Sequence, residues 1–256
     1  MNKIKKMSNK NQKLKILKDS EEHYKLIYTV PDFQNPSGVT WEVQRREQLI
    51  ELSSRYEILV IDDSPYRDLR FEGKRPPTLD SLDKKNNVIT LRTFSKILAP
   101  GLRLGWIVAH EDIIKRLAIA KQSIDLCASP FNQLITTEFL KQGFLENHIK
   151  TINAMYKEKR DAMLNALEKY IPKDVGISWT RPEGGLFMWM TYPENFDCDE
   201  MFPEAIKENV AYVIGSAFHC NGRGQNTMRL NFSYPSLMQI DEGIKRLAKV
   251  IKARLK

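Results

Sequence analysis

Cysteine is scarce in this chain, with three in 256 residues, at positions 127, 198 and 220, and no Cys-x-x-Cys spacing. An odd number so widely spaced argues against a disulfide framework or a cysteine zinc site and points to a reducing compartment, hence the cytoplasm. No apolar run approaches the roughly 18 residues needed to cross a bilayer, so no membrane association is expected. Lys3, Lys5 and Lys6 are not followed by an apolar block, so a secretory signal is not expected either. Internal repeats and low-complexity segments are absent. Glycine is sparse, 12 in all, and none precedes Gly38. The net charge of +8 and pI near 9.2 could suggest nucleic acid, but no basic run alternates with aromatics, and the lysines are spread over many segments. The densest basic stretch, Lys3 to Lys18, reads as a solvated, poorly ordered tail. A mildly basic protein of this kind still favours anionic cofactors and substrates.

What is present is an ordinary globular composition, 42% hydrophobic and 28% charged. The length exceeds what one core usually holds, so two domains are expected after a tail at 1–24: a larger one over 25–150 and a smaller one over 151–256. Lys25 to Val30 reads as a buried strand, and Pro31 to Gly38 as a turn-rich loop. Thr40 to Tyr56 is predicted helical, with Thr40 as N-cap and Val43, Leu49, Ile50 and Leu52 inward. Glu57 to Ile61 is a second strand, ended by Asp62 and Asp63, which makes a right-handed βαβ unit in a parallel sheet. Strands at Val88–Leu91 and Leu104–Ala109 flank a loop, and helices follow at about 112–126, 132–144 and 146–170. The last of these is the expected spine between the domains. The remainder reads as α+β: four short strands (177–180, 186–191, 211–214, 228–232), a helix at 201–209, and a closing helix from Leu237 to Arg254.

The loop between the two flanking strands carries chemistry: Thr93, Ser95 and Lys96, then Pro100-Gly101 and Arg103. Two hydroxyls and a guanidinium suit a phosphate, and a lysine among them suits an imine to a carbonyl compound. Asn35, Asp63 with Tyr66, and Arg229 also fall at strand ends or adjoining loops, where open α/β sheets bind ligands. Each has a bland alternative. Asn35 beside a proline can be turn chemistry, Asp63 a cap, Arg229 half of an ion pair, and Lys96 a solvated surface lysine. Together they form the set that pyridoxal 5'-phosphate needs: an amine for its aldehyde, an acid for its ring nitrogen, and hydroxyls with a guanidinium for its phosphate.

Six phrases in order carry a family resemblance: Pro31-Asp32-Phe33-Gln34-Asn35-Pro36-Ser37-Gly38, Asp62-Asp63-Ser64-Pro65-Tyr66, Thr93-Phe94-Ser95-Lys96, Gly101-Leu102-Arg103-Leu104-Gly105, Arg181-Pro182-Glu183-Gly184-Gly185 and Met228-Arg229-Leu230-Asn231-Phe232. From about residue 24 onward the chain resembles fold-type I pyridoxal-phosphate enzymes, the class I/II aminotransferases. It is closest to the branch with 2-aminoadipate, kynurenine and aromatic aminotransferases. The resemblance implies a partial large domain, α/β with a mostly parallel sheet, plus a smaller C-terminal α+β domain. It implies transamination between an amino acid and a 2-oxo acid, with Lys96 as the imine-forming lysine and proton shuttle. Asp63 then partners the pyridine nitrogen, Tyr66 and Asn35 hold the ring's 3-oxygen, and Thr93, Ser95 and Arg103 hold the phosphate. Arg229, with Asn35, clamps the substrate carboxylate, while Gly184-Gly185 serves backbone geometry. A homodimer is implied as well.

One departure bears on these expectations. The family normally has a long portion before the segment that starts here at Lys25, including a glycine-rich phosphate turn and an aromatic that stacks on the ring. Here about two dozen Lys/Asn-rich residues stand in that place. The sheet is therefore expected to have an open apolar edge. Three readings follow: an aminotransferase completed by an N-terminal polypeptide, a ligand-sensing module, or an impaired fragment.

Overall fold

A computed structural model describes residues 25–255; the tail expected at 1–24 lies outside them. The first sheet is built from β1 (Leu26–Thr29), then α1 (Val43–Tyr56), β2 (Leu59–Asp63), the short α2 (Leu79–Leu82), β3 (Val88–Thr93) and β4 (Gly105–Val108). Its order is β1-β2-β3-β4. β1, β2 and β3 run parallel as expected, and β4 joins β3 antiparallel.

Alternation along the strands divides this sheet into a dry face and an open one. Val60, Asp62, Val88 and Thr90 are buried on the same side, where Val60 and Val88 pack with Ile50 of α1 and Leu79 of α2. Tyr28 stands opposite Ile61 on the other face, which Asp63 shares two residues on. Asp62 and Asp63 are the last residues of β2 rather than a turn after it, so consecutive carboxylates point to opposite faces.

The first helix begins at Val43, not Thr40, and its N-cap residue Glu42 makes no side-chain cap bond. The intervening residues are used to close the loop before it. Trp41 N donates to Pro31 O (2.8 Å), Gln34 N to Val39 O (3.0 Å), and the Thr40 hydroxyl accepts from Phe33 N (3.2 Å). Val43 is consequently exposed, and Arg46, Ile50 and Ser53 are the buried positions, with Leu49 and Leu52 partly covered.

The helical stretch forms α3 (Glu111–Asp125), α4 (Pro130–Lys141) and the 27-residue α5 (Phe144–Tyr170). A second, antiparallel sheet follows from β5 (Ser178–Trp179), β6 (Phe187–Thr191), α6 (Cys198–Lys207), β7 (Val213–Ile214), β8 (Thr227–Asn231) and α7 (Leu237–Arg254). Its order is β5-β6-β8-β7. Its core joins Met188, Met190 and Met228 to Leu164 and Leu167 of α5 and to Ile240, Ile244, Leu247 and Ile251 of α7. α7 has the bounds its periodicity predicts, and a capping box between Ser236 and Gln239 fixes its start. By contrast, α3 buries none of its residues and α4 only Thr136. Among the described residues no helix is long and apolar enough to cross a membrane.

Candidate active site

A cavity of about 320 Å³ opens at the C-terminal ends of β1 and β2, and Tyr28, Asn35, Asp63 and Tyr66 are among its lining residues. Parallel pairing brings these strand ends together, as expected for a sheet of this type. Asn35 reaches the cavity from the closed loop after β1, where the Asn35–Pro36 peptide is cis. Phe33 seats that loop against Gly184 and Gly185. A Cβ on Gly184 would stand 2.2 Å from Leu69 O and 2.3 Å from Phe33 Cζ, and Gly185 has φ +73°. The glycine pair thus has a steric reason in the backbone.

Arg229, on β8, meets this loop across 194 residues of sequence: its Nη1 donates to Asn35 Oδ1 at 2.6 Å. The guanidinium lies over Phe187 (4.1 Å to the ring centroid) and Phe218 (5.2 Å). Its Nε is buried and has no partner among the described residues. Burial lowers the Arg229 pKa, and the Tyr66 phenol works against that shift. Tyr66 is buried edge-on to Phe187, with centroids 5.6 Å apart. Burial pushes its phenol up; Arg229 partly offsets the shift and the Asp63 carboxylate adds to it. The phenol therefore stays protonated at neutral pH and can donate a hydrogen bond. The Tyr28 hydroxyl donates to Asp63 Oδ2. Its own pKa is raised, first by loss of solvent and then by the bond to Asp63.

The lysine loop leaves the end of β3. The Thr93 hydroxyl lies 3.0 Å from both Ser95 Oγ and Leu104 O and accepts the Ser95 N–H at 3.1 Å, so the two hydroxyls are paired. Lys96 follows in the turn, half-buried, and Ile97 beneath it packs with Tyr66, Phe33 and Phe187. That packing ties the loop to the cavity wall. Arg103 is not drawn into the hydroxyl pair: it is exposed, has φ +52°, and donates through Nη1 to Pro100 O at 3.0 Å. The structure thus gathers Asn35, Asp63, Tyr66 and Arg229 in one place and Thr93 with Ser95 in another.

Sequence reasoning did not single out Tyr28, Phe187 or Phe218. Tyr28 was legible in principle, because a parallel register of β1 on β2 places it diagonally from Asp63 on the same face. Phe218 had no such signal.

The family description "Aminotransferase class I and II" matches residues 2–247, beginning before Lys25, where the motif resemblance starts. An aromatic-amino-acid aminotransferase of Thermococcus litoralis is 47% identical over 245 residues, 96% of this chain and 58% of its own length. A kynurenine aminotransferase of Pyrococcus horikoshii, solved in complex with PMP, superposes with TM-score 0.93 at 49% identity, covering 96% of this chain and 60% of that one. An alpha-aminoadipate aminotransferase of Thermus thermophilus, solved with N-(5'-phosphopyridoxyl)-L-leucine, superposes with TM-score 0.88 at 36% identity, covering 96% and 62%. The chain therefore spans about three fifths of the length of the relatives it matches, and on this evidence it belongs to the class I and II aminotransferase family.

Proposed function

We propose that this chain carries the lysine, the ring-holding residues and the carboxylate-holding residues of a pyridoxal-phosphate-dependent aminotransferase acting on an amino acid and a 2-oxo acid. The observation that carries this reading is the Arg229–Asn35 hydrogen bond, which sets a guanidinium beside the cavity that Asp63 and Tyr66 share. The donor set fits the cofactor. Asp63 is an acceptor for a protonated ring nitrogen, Tyr66 is a phenol kept protonated, Thr93 and Ser95 are paired hydroxyls, and Arg229 has a buried N–H with no partner. When bound, pyridoxal phosphate supplies an aldehyde for amine exchange and a ring that draws electrons from the substrate's α-carbon.

The remaining work belongs to the chain. Lys96 would hold the cofactor through its amine and, once free, would serve as the base that takes up and returns the proton of the substrate's α-carbon. Asp63 holds the ring nitrogen protonated, and Tyr66 and Asn35 donate to the ring oxygen. Thr93 and Ser95 would take phosphate oxygens, and Arg103, which here donates to Pro100 O, is proposed as a further phosphate ligand. Arg229 fixes the α-carboxylate through two parallel N–H groups.

The phosphate cradle has two hydroxyls among the described residues, and the partner we propose for this chain is a second copy in a homodimer or a complementing N-terminal polypeptide. In support, α3 and α4 bare Ile119 (66% exposed), Ile124 (83%), Phe131 (70%) and Leu134 (69%), and β4 is exposed throughout at the sheet edge. The large and small domains divide near residue 150, and the protein is assigned to the cytoplasm on its cysteine usage.

The test is to titrate pyridoxal phosphate into the purified chain, alone and with the N-terminal two fifths of a related aminotransferase supplied. A visible absorption band that Lys96→Ala abolishes, together with keto-acid production in the complemented mixture, is expected. No band in either mixture overturns the reading.

A further inference from the structure

Three chain segments near the cavity converge on one buried carboxylate that the proposed chemistry does not use. Asp32 is 1% exposed and Arg46 0%. Arg46 grips Asp32 with both terminal nitrogens, Nη2 to Oδ1 at 2.8 Å and Nη1 to Oδ2 at 3.2 Å. Arg67, also buried, adds Nη1 to Oδ2 at 2.9 Å. The other donors go to backbone carbonyls: Arg46 to Trp41 O (3.0 Å), Pro31 O (3.0 Å) and Pro77 O (3.1 Å), and Arg67 to Pro76 O (2.6 Å). A buried carboxylate shared by two guanidiniums, with the remaining donors on main-chain oxygens, is a rigid joint rather than a surface ion pair.

The joint stands where two cavity residues need a common reference. Asp32 lies three residues before Asn35, inside the loop that Arg46 staples to the start of α1. Arg67 directly follows Tyr66. Loops left to themselves are mobile, whereas a binding constellation must be held to within about 0.5 Å by its supporting residues. We infer that Asp32, through Arg67 and Arg46, is a positioning residue that sets the Asn35 amide against the Tyr66 phenol, and so fixes where the two donors to the ring oxygen converge. This deepens the aminotransferase reading of the cavity and rests on it for its functional meaning. The geometric part concerns this chain alone.

Asp32→Asn leaves two buried guanidiniums facing a neutral group and can prevent folding. Arg67→Met is the gentler variant, because it leaves the Asp32–Arg46 pair whole and replaces the second cation with an apolar side chain. Arg75→Ala is the control: it breaks the more exposed Arg75–Asp68 pair (3.0 Å) in the same stretch without touching the joint.

The first measurement needs no cofactor. In isotope-labelled chain, the Asn35 side-chain amide and Tyr66 ring resonances are followed by NMR. Arg67→Met is expected to shift and broaden both while amides of the second sheet stay in place, and Arg75→Ala is expected to move neither. The second is pyridoxal phosphate titration under the complemented conditions, where Arg67→Met is expected to bind about 10- to 100-fold more weakly, the usual cost of misplaced positioning groups. Unshifted Asn35 and Tyr66 resonances in a folded Arg67→Met chain overturn the inference, whatever happens to its melting temperature. Shifted resonances with no cofactor binding in the unmodified chain uphold the joint and overturn the aminotransferase reading instead.

Discussion

Tyr28 and Asp63 are joined across the open face of the first sheet, the phenol of β1 donating to the carboxylate at the end of β2. Their pairing follows from register: Tyr28 faces Ile61, and Asp63 is the next residue on that side. Tyr28 is 58% exposed, so the bond contributes little to folding. Its effect is on Asp63, whose acceptor capacity it shares with whatever else the carboxylate holds.

Replacing Asp63 tests that role directly. Asp63→Asn is expected to weaken pyridoxal phosphate binding about 10- to 100-fold, the equivalent of the ~1.5–3 kcal/mol of a hydrogen bond to a charged group. Tyr28→Phe is expected to change it by less than about threefold, since only a neutral donor at a half-open site is lost. Titration followed by visible absorbance checks both. Equal effects of the two substitutions would show that the carboxylate's charge is not what matters.

Arg229→Lys keeps the charge but loses the planar fork and the stacking on Phe187 and Phe218. The expected outcome is an amino-acid KM raised about 10- to 100-fold with the cofactor band intact, again on the scale of one charge-assisted hydrogen bond. Steady-state kinetics of the complemented enzyme measure it. Loss of the band with an unchanged KM would move Arg229 from the substrate to the cofactor.

Asp62, beside Asp63 but on the dry face, is expected to weaken the fold when ionised. Burial raises its pKa above the usual 3.8, although the Ser64 hydroxyl and Arg92 pull the other way. The folded chain therefore binds more protons at this site than the unfolded chain as pH climbs from 3.8, so the contribution of Asp62 to stability falls over that range. Asp62→Asn is expected to flatten this decline and to raise the unfolding midpoint at neutral pH. The new amide can also meet Thr90, the cross-strand partner, whose hydroxyl has no partner among the described residues. Thermal unfolding from pH 4 to 8 checks it. A substituted chain that loses stability equally at every pH would mean the carboxylate is paired after all.

Cysteine chemistry gives a test of the second core. Cys198 is buried at the start of α6 and burial pushes its thiol up to about 12, whereas Cys127 and Cys220 are exposed. A thiol reagent at neutral pH is expected to label the two exposed cysteines rapidly and Cys198 only on unfolding. Rapid labelling of all three would mean that α6 is not packed as described.

Much of this site was readable in advance because its residues sit at fixed offsets within short phrases. Asp63 and Tyr66 are three apart, Thr93 and Ser95 are two apart, and Lys96 follows directly. Strand positions are legible for the same local reason, since apolar runs bounded by turns identify themselves, although β2 lies two residues later than its apolar run suggests and β5 and β7 are two residues long. Thr40 has the chemistry of an N-cap, yet the first helix starts three residues later at Val43, because a competing donor, Phe33 N, takes the Thr40 hydroxyl. The sheet order, with β4 antiparallel at the edge, depends on pairings between strands that no local pattern encodes.

The sequence by itself determined the chemical inventory: an amine, two carboxylates, a phenol, an amide, hydroxyls and guanidiniums at strand ends, in an order that identifies the family. Only the tertiary structure decided which of them work together. Two consecutive aspartates are indistinguishable as text, yet the two-residue period of a strand sends Asp62 into the dry interior and Asp63 into the cavity. Arg229 and Asn35 stand 194 residues apart and become hydrogen-bond partners because β8 is brought against the loop after β1. Asp32, a turn residue on paper, becomes a joint because α1 delivers Arg46 and the turn after β2 delivers Arg67 to the same buried point. Contacts of that kind follow from packing, which a chain acquires only when its distant parts meet.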